Sequence, residues 1–157
     1  MLIQNRKVMG REILFKAQTV DTREWVEGNL ILLNPFRTAL IVPKDTDFLS
    51  NNDGTGIFRF YTVFEDTVCQ YTGFHDATLW EELTEQEKVK FLSEWNYEKG
   101  RKNIISDWKG KKIFEYDCLG IKENVVELCS GDWCINGDTP LSYFAKSRKI
   151  VENAKEE

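Results

Sequence analysis

The sequence predicts a mostly β protein of the α+β kind: an N-terminal antiparallel β unit, a helical insertion and a small C-terminal β barrel. Short runs of β-branched and aromatic residues alternate with polar turns over most of the chain. One stretch alone, after Thr84, repeats its apolar residues at helical spacing behind a capping signal. A hydrophobic content of 41% with 30% charged residues is that of an ordinary soluble domain.

The boundaries expected are residues 9–74 for the first β unit, 75–107 for the insertion and 108–157 for the barrel, within what a single compact domain of 157 residues can hold. Residues 1–8 are expected to form a dispensable tail. Arg11 to Gln18 reads as a strand, with Ile13 and Phe15 on one face and Glu12, Leu14 and Lys16 on the other. A polar turn at Asp21-Thr22-Arg23 leads into a second strand, Glu24 to Leu33, making a hairpin. Asn34-Pro35 breaks the pattern before an apolar strand, Phe36 to Val42. Lys44 to Gly56 is rich in Asp, Asn and Gly and reads as a loop. It lacks the closing glutamate of a calcium loop, so turn chemistry explains it. Strands follow at Ile57 to Phe64 and Val68 to Tyr71.

The insertion opens with a shorter turn, Asp76 to Leu83, in which Leu79, Trp80 and Leu83 are expected to pack. Thr84-Glu85-Gln86-Glu87 is a capping box, and Val89, Phe91, Leu92 and Trp95 then fall on one helical face, with Gly100 as a stop. Docking on the β core is the ordinary use of such a face. The alternative makes Phe91 and Trp95 the interface of a homo-oligomer. After this come short strands at Lys112 to Tyr116, Cys118 to Ile121, Val125 to Cys129, Trp133 to Ile135 and Tyr143 to Ile150. Strands so short and so spaced suggest a barrel, with the tail from Asn153 to Glu157 frayed.

A net charge of −5 and a pI near 5.1 place nucleic acid behind protein as a partner. No apolar run reaches the roughly 18 residues of a membrane span, and no apolar segment follows Arg6 and Lys7 as a secretory signal would require. The expected location is therefore the cytoplasm, where Cys69, Cys118, Cys129 and Cys134 would be reduced thiols.

Several phrases occur in a fixed order: Arg11-Glu12-Ile13 with Phe15; Trp25-Val26 with Gly28 and Leu30; Thr67-Val68 with Gln70-Tyr71-Thr72-Gly73; and Gly110-Lys111 with Ile113-Phe114-Glu115 and Asp117. In these phrases the chain resembles the YopX family of bacteriophage and prophage proteins, over about residues 9 to 157. The resemblance implies a mostly β protein of mobile-element origin, in a bacterial host, with no established biochemical activity. It also implies that the strands around Val68 and Ile113 lie close, since a short turn joins them in the family. Tyr116 stands where the family has glycine, so a different turn is expected there.

Catalytic chemistry is poorly represented. His75, the single histidine, adjoins Asp76, but neighbours on an extended chain point oppositely. A hydrolase built on that pair is the weakest of the functional readings. No nucleophile elbow or phosphate-binding loop occurs. Cys129 and Cys134 resemble half a zinc site that Cys69 and Cys118 would have to complete, and buried free thiols are the default. No catalytic residue, metal or cofactor is therefore expected. Trp133, Tyr143 and Phe144 with Lys146 and Arg148 are the candidate binding residues, for an unspecified protein partner or, as the second reading, for nucleic acid.

Overall fold

A computed structural model describes residues 13–33, 38–43, 49–50, 56–57, 59–98 and 107–156. The expectations for residues 1–8, for Gly100 and for most of the loop at 44–55 lie outside these.

Strand β1 (Phe15–Gln18) carries a hydrophobic core on each face. Its predecessor Leu14 is buried with Cys69, Tyr71 and Phe114, while Ala17 is buried with Ala39, Ile41 and Val63. Alternation along an extended chain divides successive residues between the two clusters. The expected apolar face through Ile13 is not formed, for Ile13 is 68% exposed and Leu14 takes the inward position.

Strand β2 (Trp25–Leu33) is long enough to serve two neighbours. Trp25 to Gly28 pair with β1, and Asn29 to Leu33 pair with β3 (Thr38–Val42). The change of partner falls at Gly28, where a Cβ would lie 2.1 Å from the carbonyl oxygen of Val42. Only glycine permits that approach. β4 (Leu49–Ser50) and β5 (Gly56–Ile57) form a separate small ladder. β6 (Tyr61–Val63) adds to β3. β6 then reaches back to the end of β1: Val63 bridges Thr19, and the amide of Phe64 donates to the Gln18 carbonyl at 2.9 Å. The sheet thus curls around its own alanine-lined core.

On the other side of β1 lies β7 (Cys69–His75), and beyond it β8 (Lys112–Phe114). The phrases around Val68 and Ile113 are therefore paired strands, with Tyr71 opposite Phe114 and His75 opposite Lys112. A bulge separates those pairs at Gly73, whose φ is +88°. The antiparallel sheet runs β6-β3-β2-β1-β7-β8.

The C-terminal third is β as expected, but no small closed barrel is found among its described residues. β9 (Asp117–Leu119) forms a ladder with β13 (Ile150–Asn153) and touches the next hairpin through a single bridge, Cys118 to Val125, while β10 (Val126–Cys129), β11 (Asp132–Ile135) and β12 (Thr139–Pro140) make a separate meander. The strand expected at Tyr143 to Ile150 is instead a short helix, α2 in chain order (Ser142–Ala145), and a turn. Leu141 and Ala145 are both buried, and Phe144 packs beside them on the core of Ile113, Leu119, Val126 and Ile135. That is helical spacing, which the neighbouring rings of Tyr143 and Phe144 disguise.

The inserted helix α1 (Glu85–Glu98) has the predicted box: Glu87 N–H donates to Thr84 Oγ1 at 3.1 Å, and Thr84 N–H to Glu87 Oε1 at 2.9 Å. Its apolar face is narrower than expected, because Val89 is 65% exposed. In the lead-in turn Leu83 is buried but Leu79 is exposed. No helix among the described residues is long and apolar enough to cross a membrane.

Candidate functional site

The richest constellation of polar side chains lies where β1, β7, β9 and β13 meet. Lys16 is drawn inward by the alternation of β1, and its side chain is only 15% exposed. Its ammonium stands 4.5 Å from the ring centre of Trp25 and 4.9 Å from that of Phe114. Asp117 Oδ1 is 3.6 Å from it. Asp117 is 1% exposed, takes the Phe114 N–H on Oδ2 at 2.8 Å, and takes Asn153 Nδ2 on Oδ1 at 2.9 Å. The same Asn153 amide reaches the Glu115 carbonyl at 3.2 Å and lies 3.8 Å from Cys69 Sγ.

Burial pushes the Asp117 carboxyl above its ordinary range, against the pull of Lys16 and of the two amides that donate to it. Burial likewise pushes the Cys69 thiol up to about 12, so it is a thiol and not a nucleophilic thiolate. The cluster therefore holds a cation in an aromatic cage over a buried carboxylate, with every polar member engaged. Such an arrangement orients four strands, β1, β7, β9 and β13. It offers no free base or nucleophile.

A second polar centre is Asp76, also buried. Oδ1 accepts the amides of Thr78 and Lys111, each at 2.9 Å, and Oδ2 accepts the Thr78 hydroxyl and the Ile150 amide, each at 2.9 Å. With four donors the carboxylate has no lone-pair site left for a reacting group. His75 meets a different neighbour, the Tyr71 hydroxyl, at 3.4 Å from Nε2. The two residues serve separate sides of β7, as alternation requires.

The expected binding residues differ in exposure. Tyr143 is exposed at 74%, whereas Phe144 and Trp133 turn inward onto the C-terminal core. Arg148 lays its guanidinium 5.2 Å from the Phe144 ring, and Lys146 is exposed. Only Tyr143 and Lys146 of the set point outward without such packing. The physical reason is the helix α2, which separates residues that a strand would have aligned in alternation. Phe91 packs within the chain, 5.6 Å from the Trp80 ring centre and 5.2 Å from that of Trp108. The side chain of Trp95 lies outside the described residues.

The cysteines divide in two. Cys129 and Cys134 are joined as a disulfide across the β10–β11 hairpin, where the sequence suggested reduced thiols. The tight Ser130-Gly131 turn makes them diagonal neighbours, since Cys134 stands opposite Glu127 and Cys129 opposite Asp132. Cys69 and Cys118 are free and buried elsewhere, so they complete no site with that pair. Among the described residues no group of His, Cys, Asp or Glu is arranged to hold a metal ion.

Sequence reasoning missed Lys16 and Asn153. The sequence places Lys16 on one strand face with Glu12 and Leu14 and assigns it no role. Asn153 looked like the start of a frayed tail, yet it is 4% exposed, and the next amide, Ala154, donates to the Tyr116 carbonyl at 2.8 Å. Asp117 alone carried a signal, as the last residue of a family-like phrase.

Comparison with family models, with curated proteins and with solved structures finds no match to this chain.

Proposed function

We propose that the chain is a non-enzymatic accessory protein of a phage or prophage, acting through contacts with another protein in the host cytoplasm. Its four ordered phrases, which resemble the YopX family, support the origin. The saturated carboxylates of Asp76 and Asp117 support a structural use of the polar residues.

The observation that carries the binding reading is the outer end of β2. Ile31, Leu32 and Leu33 are 37%, 52% and 42% exposed in succession. Successive strand residues face opposite ways, so the β2–β3 ribbon presents apolar side chains on both faces. Clustered exposed apolar residues mark contact surfaces more often than scattered ones.

Capture on the immobilised chain from prophage-bearing cells tests this. One protein recovered stoichiometrically, and lost on Leu32→Asp with thermal stability retained, is the expected result. Recovery of nuclease-sensitive material that survives Leu32→Asp would favour the nucleic-acid reading instead. A disulfide at Cys129–Cys134 sits uneasily with a reducing cytoplasm. Thiol counting on the chain taken directly from alkylated cells decides its state there.

A further inference from the structure

The β10–β11 hairpin carries two joined sulfurs of unequal access. Ser130 (φ +51°) and Gly131 (φ +92°) make its two-residue turn, and two positive φ values match the twist of the strands they connect. Cys129 and Cys134 are linked beside that turn, with 6.2 Å between their Cα atoms. Cys129 is half-buried next to the exposed Ser130 and Gly131, whereas Cys134 is only 5% exposed. The hairpin is held by more than the link. Val126 and Ile135 pair across it and sit in the C-terminal core, and the Trp133 carbonyl accepts the Leu141 amide at 3.0 Å. A bridge that closes so short a loop also restricts the unfolded chain little. Ladder, turn and core therefore keep the two sulfurs in register when the bond between them is open. Cys69 and Cys118 cannot exchange with them: both are fully buried, and burial pushes both thiols up.

We propose that Cys129–Cys134 is a reversible thiol–disulfide exchange site, entered at Cys129 by a dithiol reductant, with Cys134 as the buried leaving and resolving sulfur. Access decides which sulfur of a disulfide is attacked, and only Cys129 lies beside an exposed turn. A thiolate of the reductant forms a new S–S bond to Cys129 Sγ. The electron pair of the old bond leaves on Cys134 Sγ, which takes a proton from water. The second thiolate of the reductant then attacks its own bound sulfur and releases Cys129 as a thiolate. The net change moves two electrons from the dithiol to the protein, leaving the reductant as its disulfide. In the opposite direction Cys134 attacks Cys129 in the mixed disulfide and closes the bond again. The site is independent of the contact surface on β2.

Hydroxyethyl disulfide, a small neutral probe, reads the order of access by mass spectrometry of the full chain. Without denaturant, Cys134→Ser should form the mixed disulfide at Cys129 roughly tenfold faster than Cys129→Ser forms it at Cys134. Equal rates, or a faster reaction at Cys134, would overturn the proposal. The unsubstituted chain gives a second reading. Dithiothreitol should open the bond in the folded protein, the reduced chain should keep a cooperative thermal melt, and the oxidised probe should then restore the bond with Cys69 and Cys118 unmodified. A bond that opens only in denaturant, or a reduced chain that unfolds, would equally refute a reversible site.

Discussion

Asn153 Nδ2 donates to Asp117 Oδ1 at 2.9 Å and so ties the last strand to the start of β9 across 36 residues of sequence. Because Phe114 N–H and Lys16 converge on the same carboxylate, its loss strands several buried groups at once. Asp117→Ala should lower the unfolding free energy by about 3–5 kcal/mol, and Asp117→Asn by less, since an acceptor remains. Urea titration of the three chains measures both. The pH dependence has a defined sign. Burial raises the folded-state pKa of Asp117, so its proton-linked stabilisation is complete below the unfolded value of about 3.9 and is lost as pH rises through the folded value. The stability of the wild type relative to Asp117→Asn should therefore be greatest in acid. A gap that widened toward neutral pH would refute this.

Gly110 faces the carbonyl of Asp76 at a distance that admits no side chain. A Cβ there would lie 2.0 Å from that oxygen, and the φ of +110° disfavours any L-residue. Gly110→Ala should cost well over the roughly 1 kcal/mol of an unfavourable φ alone, because the clash is with backbone. Gly131→Ala is the control, for it has φ +92° and open space around it. Equal melting temperatures for the two variants would contradict the steric account.

Tyr116 has φ +71°, so the turn keeps a glycine-like backbone where the sequence suggested a different one. Its amide donates to the Val126 carbonyl and its carbonyl accepts from Ala154, both at 2.8 Å, and these bonds hold the strained conformation. Tyr116→Gly and Tyr116→Ala lose the same ring packing against the Leu14, Cys69, Tyr71 and Phe114 cluster, but only glycine relieves the backbone. The glycine variant should be the more stable of the two by about 1 kcal/mol, reversing the usual order in ordered backbone. Thermal melts of the pair decide it.

Cys69 should resist thiol reagents in the folded chain at pH 8, being fully buried with its thiol pushed up to about 12. Reaction should require denaturant and follow the unfolding curve. Rapid labelling of Cys69 in the native chain would show that the Asn153 cluster opens locally.

The candidate site was only partly legible in the sequence. The ordered phrases include Asp117 and imply that the strands around Val68 and Ile113 lie close, which is how β7 and β8 pair. Lys16 and Asn153 gave no comparable signal, because a strand lysine and a near-terminal asparagine are ordinarily solvated.

By itself the sequence determined the local features whose energetics are settled within a few residues. These are the Thr84–Glu87 capping box, the Trp25–Leu33 strand, the polar turns and the predominance of β structure. Tertiary structure alone decided which faces are buried and which partners meet. It sent Leu14 inward and Ile13 outward, turned Leu141 to Ala145 into a helix, and curled β6 back onto β1 while leaving the C-terminal strands as open ladders. The reason is the range of the interactions. A cap or a turn closes over three or four residues, whereas the hubs at Asp76 and Asp117 gather donors from segments up to 74 residues apart, and no local pattern encodes that convergence.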